Sequence, residues 1–366
     1  MDDFRNSLDR EQLFSIRAGK PDQEIFSRIK KRWDGISKPI DGLGDFEGII
    51  CKIGAIQKKE VPTLENRCAV ILCADNGIVA EGVTQTGKEV TLQVARMLGQ
   101  GTSTASTLAK KASAKVKAVD IGIDSDEEIP GVAALKVSRG TGDFLKENAM
   151  TPEQALMAIG TGIDIVRSLK EDGTDIIVTG EMGIGNTTTT TALLSLLTGD
   201  EGDAYVGRGA GLSDEGLNRK CEVVEQAVRM YGDGRPALDD KEKAFKYLCN
   251  VGGLDIAGLC GVFLGCAVYE IPVVIDGAIT AVAALLAECF APGSRKYMFA
   301  AHKGRETGLE KALSILDLEP FVNGSMALGE GTGGLMFLPL LDMALDFYKS
   351  ASTFVSGGIE EYKRFT

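Results

Sequence analysis

The chain of 366 residues contains a single histidine, His302, and a single tryptophan, Trp33. One imidazole excludes a multi-histidine metal centre and leaves a Ser-His-Asp triad resting on one residue, so proton transfer falls on Asp, Glu and Lys. Eight cysteines (51, 68, 73, 221, 249, 260, 266 and 289) are scattered without a C-x-x-C pair, some inside apolar runs such as Val70-Ile71-Leu72-Cys73. That spacing fits neither a zinc site nor a disulfide framework and predicts buried free thiols in a reducing compartment. Basic residues are in the minority, 40 against 52 acidic ones, for a formal charge of −12. Nucleic acid and anionic membrane both require a basic face, so neither is expected as a partner. No uncharged apolar run is long enough to span a bilayer, and Asp2, Asp3, Arg5 and Asp9 leave no room for an apolar signal core. The expectation is a cytoplasmic protein.

Short β-branched runs recur at 69–74, 116–121, 175–179, 271–275 and 296–300. Helical patterns lie between them at 89–98, 152–170, 192–198, 214–231, 254–269 and 278–290. This alternation predicts an α/β fold, a doubly wound, mainly parallel Rossmann-like sheet whose ligands gather at the carboxyl ends of the strands. Segments 4–14, 25–33 and 335–354 read as terminal helices, the last rich in Leu, Met and Phe. The expected division is a large Rossmann-like domain over 31–318 and a small helical domain from 1–30 plus 319–366.

Residues 180–191 read Gly-Glu-Met-Gly-Ile-Gly-Asn-Thr-Thr-Thr-Thr-Thr, where the third strand hands over to a helix. Gly183 and Gly185 allow a tight turn and close approach, and the N–H groups of Asn186 and Thr187 then face an anion, which is the design of a phosphate cradle. It is not a P-loop, since no Lys-Ser/Thr follows, nor the dinucleotide fingerprint, whose spacing differs. Glu181 inside this cradle repels phosphate unless it serves chemistry or holds a hydroxyl. A second loop, Gly207-Arg208-Gly209-Ala210-Gly211-Leu212-Ser213-Asp214, precedes a helix with Arg219 and Lys220. It reads either as a phosphate cover charged by Arg208 or Lys220, or as a surface turn with Ser213 or Asp214 as N-cap.

Asp276-Gly277 follows the fourth run; Asp276 accepts from ribose hydroxyls or caps the helix at 278. Glu330, flanked by glycine in Leu328-Gly329-Glu330-Gly331-Thr332-Gly333-Gly334, is either a desolvated general base or an acid favoured by a helix N-terminus. Asp75-Asn76-Gly77 makes a turn on its own, and Gly252-Gly253-Leu254-Asp255 reads as close helix packing. His302, beside Lys303, reads as a surface or loop residue. A nucleotide-dependent oxidoreductase would need the dinucleotide fingerprint and its distant acid, and neither is found.

Together these ordered segments, from Asp41-Gly42-Leu43-Gly44 to the terminal helix, resemble the nicotinate-nucleotide:dimethylbenzimidazole phosphoribosyltransferase family. The resemblance implies transfer of the 5-phosphoribosyl group from nicotinate mononucleotide to a lower-ligand base of cobamides, with inversion from β to α and release of nicotinate. It implies no cofactor, no metal, and a dimer. It places the general base on Glu330, with Glu181 and Lys220 also catalytic. Nucleotide contacts fall on Gly183, Gly185, Asn186, Thr187, Gly207, Arg208, Gly209, Asp276 and Gly277, and acceptor contacts on Thr84, Gln93, Met182 and Leu328. The chain departs from the family at Asn76, where His is usual, in Gln85-Thr86-Gly87, and after His302, where Ser and Pro are missing. Those departures keep open a phenol- or p-cresol-using subunit of a heterodimer, and a non-catalytic paired subunit.

Overall fold

A computed structural model describes residues 3–363. Six parallel strands form the central sheet: β1 (Arg67–Ala74), β2 (Ala114–Gly122), β3 (Ala133–Ala134), β4 (Ile176–Met182), β5 (Val273–Ile275) and β6 (Met298–Ala300). Their order is β3-β2-β1-β4-β5-β6. This is the Rossmann order, which reverses direction between β1 and β4 and so opens a crevice at their carboxyl ends. β1 is buried along all but its first residue, which is why its sequence is continuously apolar instead of alternating.

The helices Pro152–Glu171 and Leu254–Tyr269 press together through small residues. A Cβ on Gly162 would meet the Gly258 carbonyl oxygen at 2.0 Å, and one on Gly261 would meet that of Ile159 at 1.9 Å. The near absence of charge along 254–269 is therefore a packing requirement, as expected. At the chain ends, Trp33 stacks on Phe347 with ring centroids 6.2 Å apart and lies 4.9 Å from Tyr348. Ile36 pairs with Thr353 beside them.

Several boundaries differ from the sequence reading. β4 continues through Gly180, Glu181 and Met182, and the following helix begins at Asn186. The cradle thus narrows to Gly183-Ile184-Gly185. Within this helix two threonine hydroxyls bond back one turn, Thr191 to the Thr187 carbonyl at 2.9 Å and Thr198 to that of Leu194 at 2.9 Å. Segment 4–14 splits into Phe4–Ser7 and Arg10–Ser15, because Asp9 and Gln12 form a capping box that starts a new helix. The last long helix is Thr332–Ser350. A second sheet, unforeseen, pairs β7 (His302–Gly304) in parallel with β8 (Val322–Met326) across the helix Thr307–Leu316. His302 is therefore a buried strand residue and not a surface one, since β7 continues the chain straight out of the core strand β6.

All eight cysteines are free, and all except the half-buried Cys221 are buried. Among the described residues no helix is long and apolar enough to cross a membrane.

Candidate active site

The end of β4 lies beside the end of β1, with Cys73 opposite Met182 in the register. After Met182 the chain turns at Gly185, whose φ of 93° is a left-handed value suited to glycine, and whose added Cβ would come within 2.8 Å of Val79. The turn is tied down from the side, because the Ile184 N–H donates to the buried Thr91 hydroxyl at 3.1 Å. Asn76, where a turn alone was expected, is buried and accepts from the Thr189 hydroxyl at 3.1 Å.

Glu181 points into the crevice and is buried. The Asn186 amide donates both to its carboxylate and, at 3.0 Å, to Asp255. Asn186 thus joins two carboxylates instead of extending toward a phosphate. Burial raises the pKa of Glu181 to about 8, the charge of Asp255 adds to this, and the Asn186 bond opposes it. Burial likewise raises Asp255 to about 6 against the same bond. Two carboxylates sharing one amide donor titrate as a unit, and near neutral pH the pair holds about one proton. Asp255 was read from the sequence first as close packing, with approach to a ligand as the other reading; its signal, an acid in an otherwise apolar helix, was present.

Linkage follows from the direction of the shift. The folded pKa of Glu181 lies above its ordinary 4.5, so the stability it contributes is complete below about pH 4.5 and is lost as pH rises through about 8. Glu181→Gln is expected to flatten the fall in melting temperature between about pH 5 and pH 8. An unchanged slope would show that Glu181 titrates normally in the folded chain.

Beside the threonine helix lies a narrow cleft lined by Thr187, Thr190, Gly207, Gly209, Lys220 and Glu306, among others. Lys220 is 1% exposed and donates to the Thr187 hydroxyl at 2.9 Å and the Gly207 carbonyl at 3.0 Å. Burial lowers its pKa to about 8, partly offset by Glu306. The buried Thr190 hydroxyl has no partner among the described residues. A buried cation, an idle hydroxyl and a helix start thus share one cleft, the combination of groups that suits an anion. Arg208 turns elsewhere, onto the Leu212 carbonyl at 2.8 Å and Asp214, while Ser213 is the N-cap. Arg219 pairs with Glu81, leaving Lys220 as the cation in the cleft. Glu306, missed in the sequence, accepts from the Ala278 N–H at 3.4 Å, and a Cβ on Gly277 would lie 3.9 Å from it. A wider cavity of about 620 Å³ near Arg10, Tyr231 and Asn250 shares no lining residue with this cleft, and two of its three cations, Arg10 and Lys243, pair with Glu242 and Asp233.

Glu330 sits across from Glu181. Gly329, Glu330 and Gly331 have φ of 84°, 57° and 77°, so the carboxylate rides on a left-handed run that glycine permits and glutamate resists. A Cβ on Gly329 would stand 3.0 Å from the Glu181 carboxylate, and one on Gly180 would stand 2.7 Å from the Gly331 nitrogen. The loop therefore lies directly on the β4 backbone. Glu330 is half-buried and accepts from the Ala105 N–H at 3.3 Å. It does face a helix N-terminus, but that of Thr104–Lys111 and not of its own helix. Burial raises its pKa, against the Ala105 bond.

Asp276 neither caps the helix at 278, whose N-cap is Gly277, nor presents free oxygens to a ribose. Its carboxylate accepts the N–H groups of Gly331, Gly333 and Gly334 at 3.2, 2.7 and 3.1 Å. Thr84 is half-buried and donates to the Thr86 carbonyl at 2.7 Å. Met182 is half-buried at the strand end and Leu328 is 54% exposed. Gln93 is exposed, on the face of its helix opposite to Thr91 and hence away from the cradle.

Comparison with known proteins identifies the family. A family model described as phosphoribosyltransferase matches residues 18–359. The chain is 41% identical over 342 residues to the nicotinate-nucleotide--dimethylbenzimidazole phosphoribosyltransferase of Clostridium acetobutylicum, covering 93% of this chain and 96% of that protein. It is 39% identical over 341 residues to the protein of the same name from Acetivibrio thermocellus, with 93% and 95% covered. The crystal structure of CobT from Thermus thermophilus superimposes with a TM-score of 0.85 at 34% identity, over 93% of this chain and 100% of that one. The Rossmann strand order, the glycine cradle at its reversal and similarity along nearly the full length converge: the chain belongs to the nicotinate-nucleotide–dimethylbenzimidazole phosphoribosyltransferase family.

Proposed function

We propose that this chain transfers the 5-phosphoribosyl group of nicotinate mononucleotide to dimethylbenzimidazole or a closely related aromatic base, giving an α-riboside 5′-phosphate and nicotinate for cobamide synthesis. The observation that carries the reading is a cleft around the buried Lys220 together with Glu181 and the Glu330 loop that lies against it at the end of β4. The nucleotide phosphate occupies the cleft, against Thr187, Gly207, Gly209 and Lys220. Gly183, Gly185 and Gly277 let the backbone come close to the nucleotide, and Thr84, Met182 and Leu328 border the acceptor.

In the reaction the C1–N bond to nicotinate breaks and its electron pair returns to the ring nitrogen, which leaves without needing a proton. The lone pair of one acceptor nitrogen forms the new bond on the opposite face, and the proton on the other nitrogen passes to Glu330. Glu181, with Asp255 behind it, stabilises the positive charge that develops on the ribose. A single-histidine chain loses nothing by this route.

The test measures nicotinate release by the purified chain from nicotinate mononucleotide, with dimethylbenzimidazole, adenine, phenol or p-cresol added separately and each product identified by mass. Turnover with dimethylbenzimidazole is expected to be fastest. A phenolic winner would move the acceptor class, and nucleotide that fails to bind at all would overturn the reading.

We further propose a homodimer. The long helix leaves Met336, Met343 and Phe347 exposed, with the half-buried Leu340 completing one stripe that continues from the Glu330 loop. A monomer in sedimentation at micromolar concentration would contradict it. We assign 31–318 to a large Rossmann-like domain and 1–30 plus 319–366 to a small helical one, and place the protein in the cytoplasm, where eight free thiols stay reduced; limited proteolysis and cell fractionation test these assignments.

A further inference from the structure

We infer that Asp276 is a positioning residue for the general base, holding the Glu330 loop through the amides of residues 331, 333 and 334 and not contacting the substrate itself. The inference rests on Glu330 being the base.

Three features carry it. The carboxylate is 3% exposed, and both its oxygens are engaged: one accepts from Gly331, the other from Gly333 and Gly334. Those amides immediately follow Glu330, so their placement sets where the glutamate backbone ends. A neutral side chain of the same shape offers one acceptor oxygen in place of two, and its NH₂ would face an amide donor.

Asp276 is itself held rigidly. Its N–H donates to the Thr280 hydroxyl at 3.0 Å, and β5 is locked to β4 where the Thr179 hydroxyl donates to the Val274 carbonyl at 2.8 Å. The chain of contacts therefore runs from the β4 backbone beneath the loop, through β5, to Asp276 at its side. Within the loop, Thr332 closes the turn by donating its N–H and hydroxyl to the Gly329 carbonyl at 3.1 and 2.8 Å.

The third feature is a cover. The His302 ring lies against Gly333, where an added Cβ would meet ring carbon Cδ2 at 2.0 Å, and its Nε2 is 3.8 Å from Asp276. His302 thus seals the carboxylate from water and leaves the three amides as its hydrogen-bonding partners. Glutamate in a left-handed conformation relaxes when it can, and a buried acceptor for three of the next four backbone N–H groups is what prevents it.

The experiment is a double-mutant cycle measured with nicotinate mononucleotide and dimethylbenzimidazole. Asp276→Asn is expected to lower kcat by about 10- to 100-fold, as a misplaced catalytic group does, with KM for the nucleotide changed by less than about threefold. In the Glu330→Gln background it should cost nothing further, because the group it positions is already gone. Gly333→Ala, whose Cβ would meet the His302 ring at 2.0 Å and the Asp276 carboxylate at 2.9 Å and so displaces the loop while keeping the charge of Asp276, should repeat the pattern and carries the test should Asp276→Asn fail to fold. A raised nucleotide KM with kcat preserved, or losses that multiply with Glu330→Gln, would overturn the inference and return Asp276 to the ribose. Full turnover by Glu330→Gln alone would instead remove the base assignment, and this inference with it.

Discussion

Glu330→Gln is expected to lower kcat by about 10²- to 10⁴-fold, the range a positioned general base contributes, while nucleotide affinity stays near that of the unaltered chain. The substitution keeps the shape and removes only the ability to take a proton. The nucleotide phosphate is proposed to lie in the Lys220 cleft, whose lining does not include Glu330. The pKa of Glu330 is raised by burial, so the free enzyme's rate should rise with pH as this carboxyl loses its proton, and that limb should vanish in the glutamine variant. The measurement is pre-steady-state nicotinate release across a pH series together with nucleotide titration by calorimetry. A variant with turnover within threefold of the parent would remove Glu330 as the base, and lost affinity with normal turnover would make it a binding residue.

Lys220→Met should weaken nicotinate mononucleotide binding by about 10- to 100-fold, the equivalent of one charge-assisted hydrogen bond to a phosphate. Methionine approximates the lysine stem, so the packing against its helix survives. What disappears is a cation 1% exposed, whose two bonds fix the Gly207 loop over Thr187. Its pKa of about 8 still leaves it mostly protonated at neutral pH, and an arriving phosphate raises it further. Affinity of the parent chain should accordingly fall above about pH 8, a dependence the methionine variant lacks. Equal affinities for parent and variant would move the phosphate out of this cleft. An equal loss of affinity for inorganic phosphate would locate the defect at the phosphate and not at the ribose.

Much of the frame was legible. Alternating β-branched runs and helical patterns identify a parallel sheet because strands covered on both faces have no polar side to show. Gly183 and Gly185 marked the cradle, and Glu330 stood out because glycines on both sides leave a carboxylate unshielded. Other residues were misread for one common reason, that their neighbours are remote in sequence. Asp255 joins Glu181 only through Asn186, 69 residues away. His302 is buried because β7 leaves the core strand β6 and pairs with β8, which no local pattern announces.

The sequence by itself determined the class of fold, the glycine turns, the single histidine that rules out a multi-histidine metal centre, and through its ordered motifs the family resemblance. These are properties of local backbone preference and of residue supply. Tertiary structure alone decided the strand order that puts β1 beside β4, the burial that turns Lys220 and Glu181 from surface charges into perturbed groups, and the use of Asp276 as an anchor for amides 55 to 58 residues downstream. Desolvation and long-range hydrogen bonding depend on what packs above a side chain, and that is fixed only when distant segments meet.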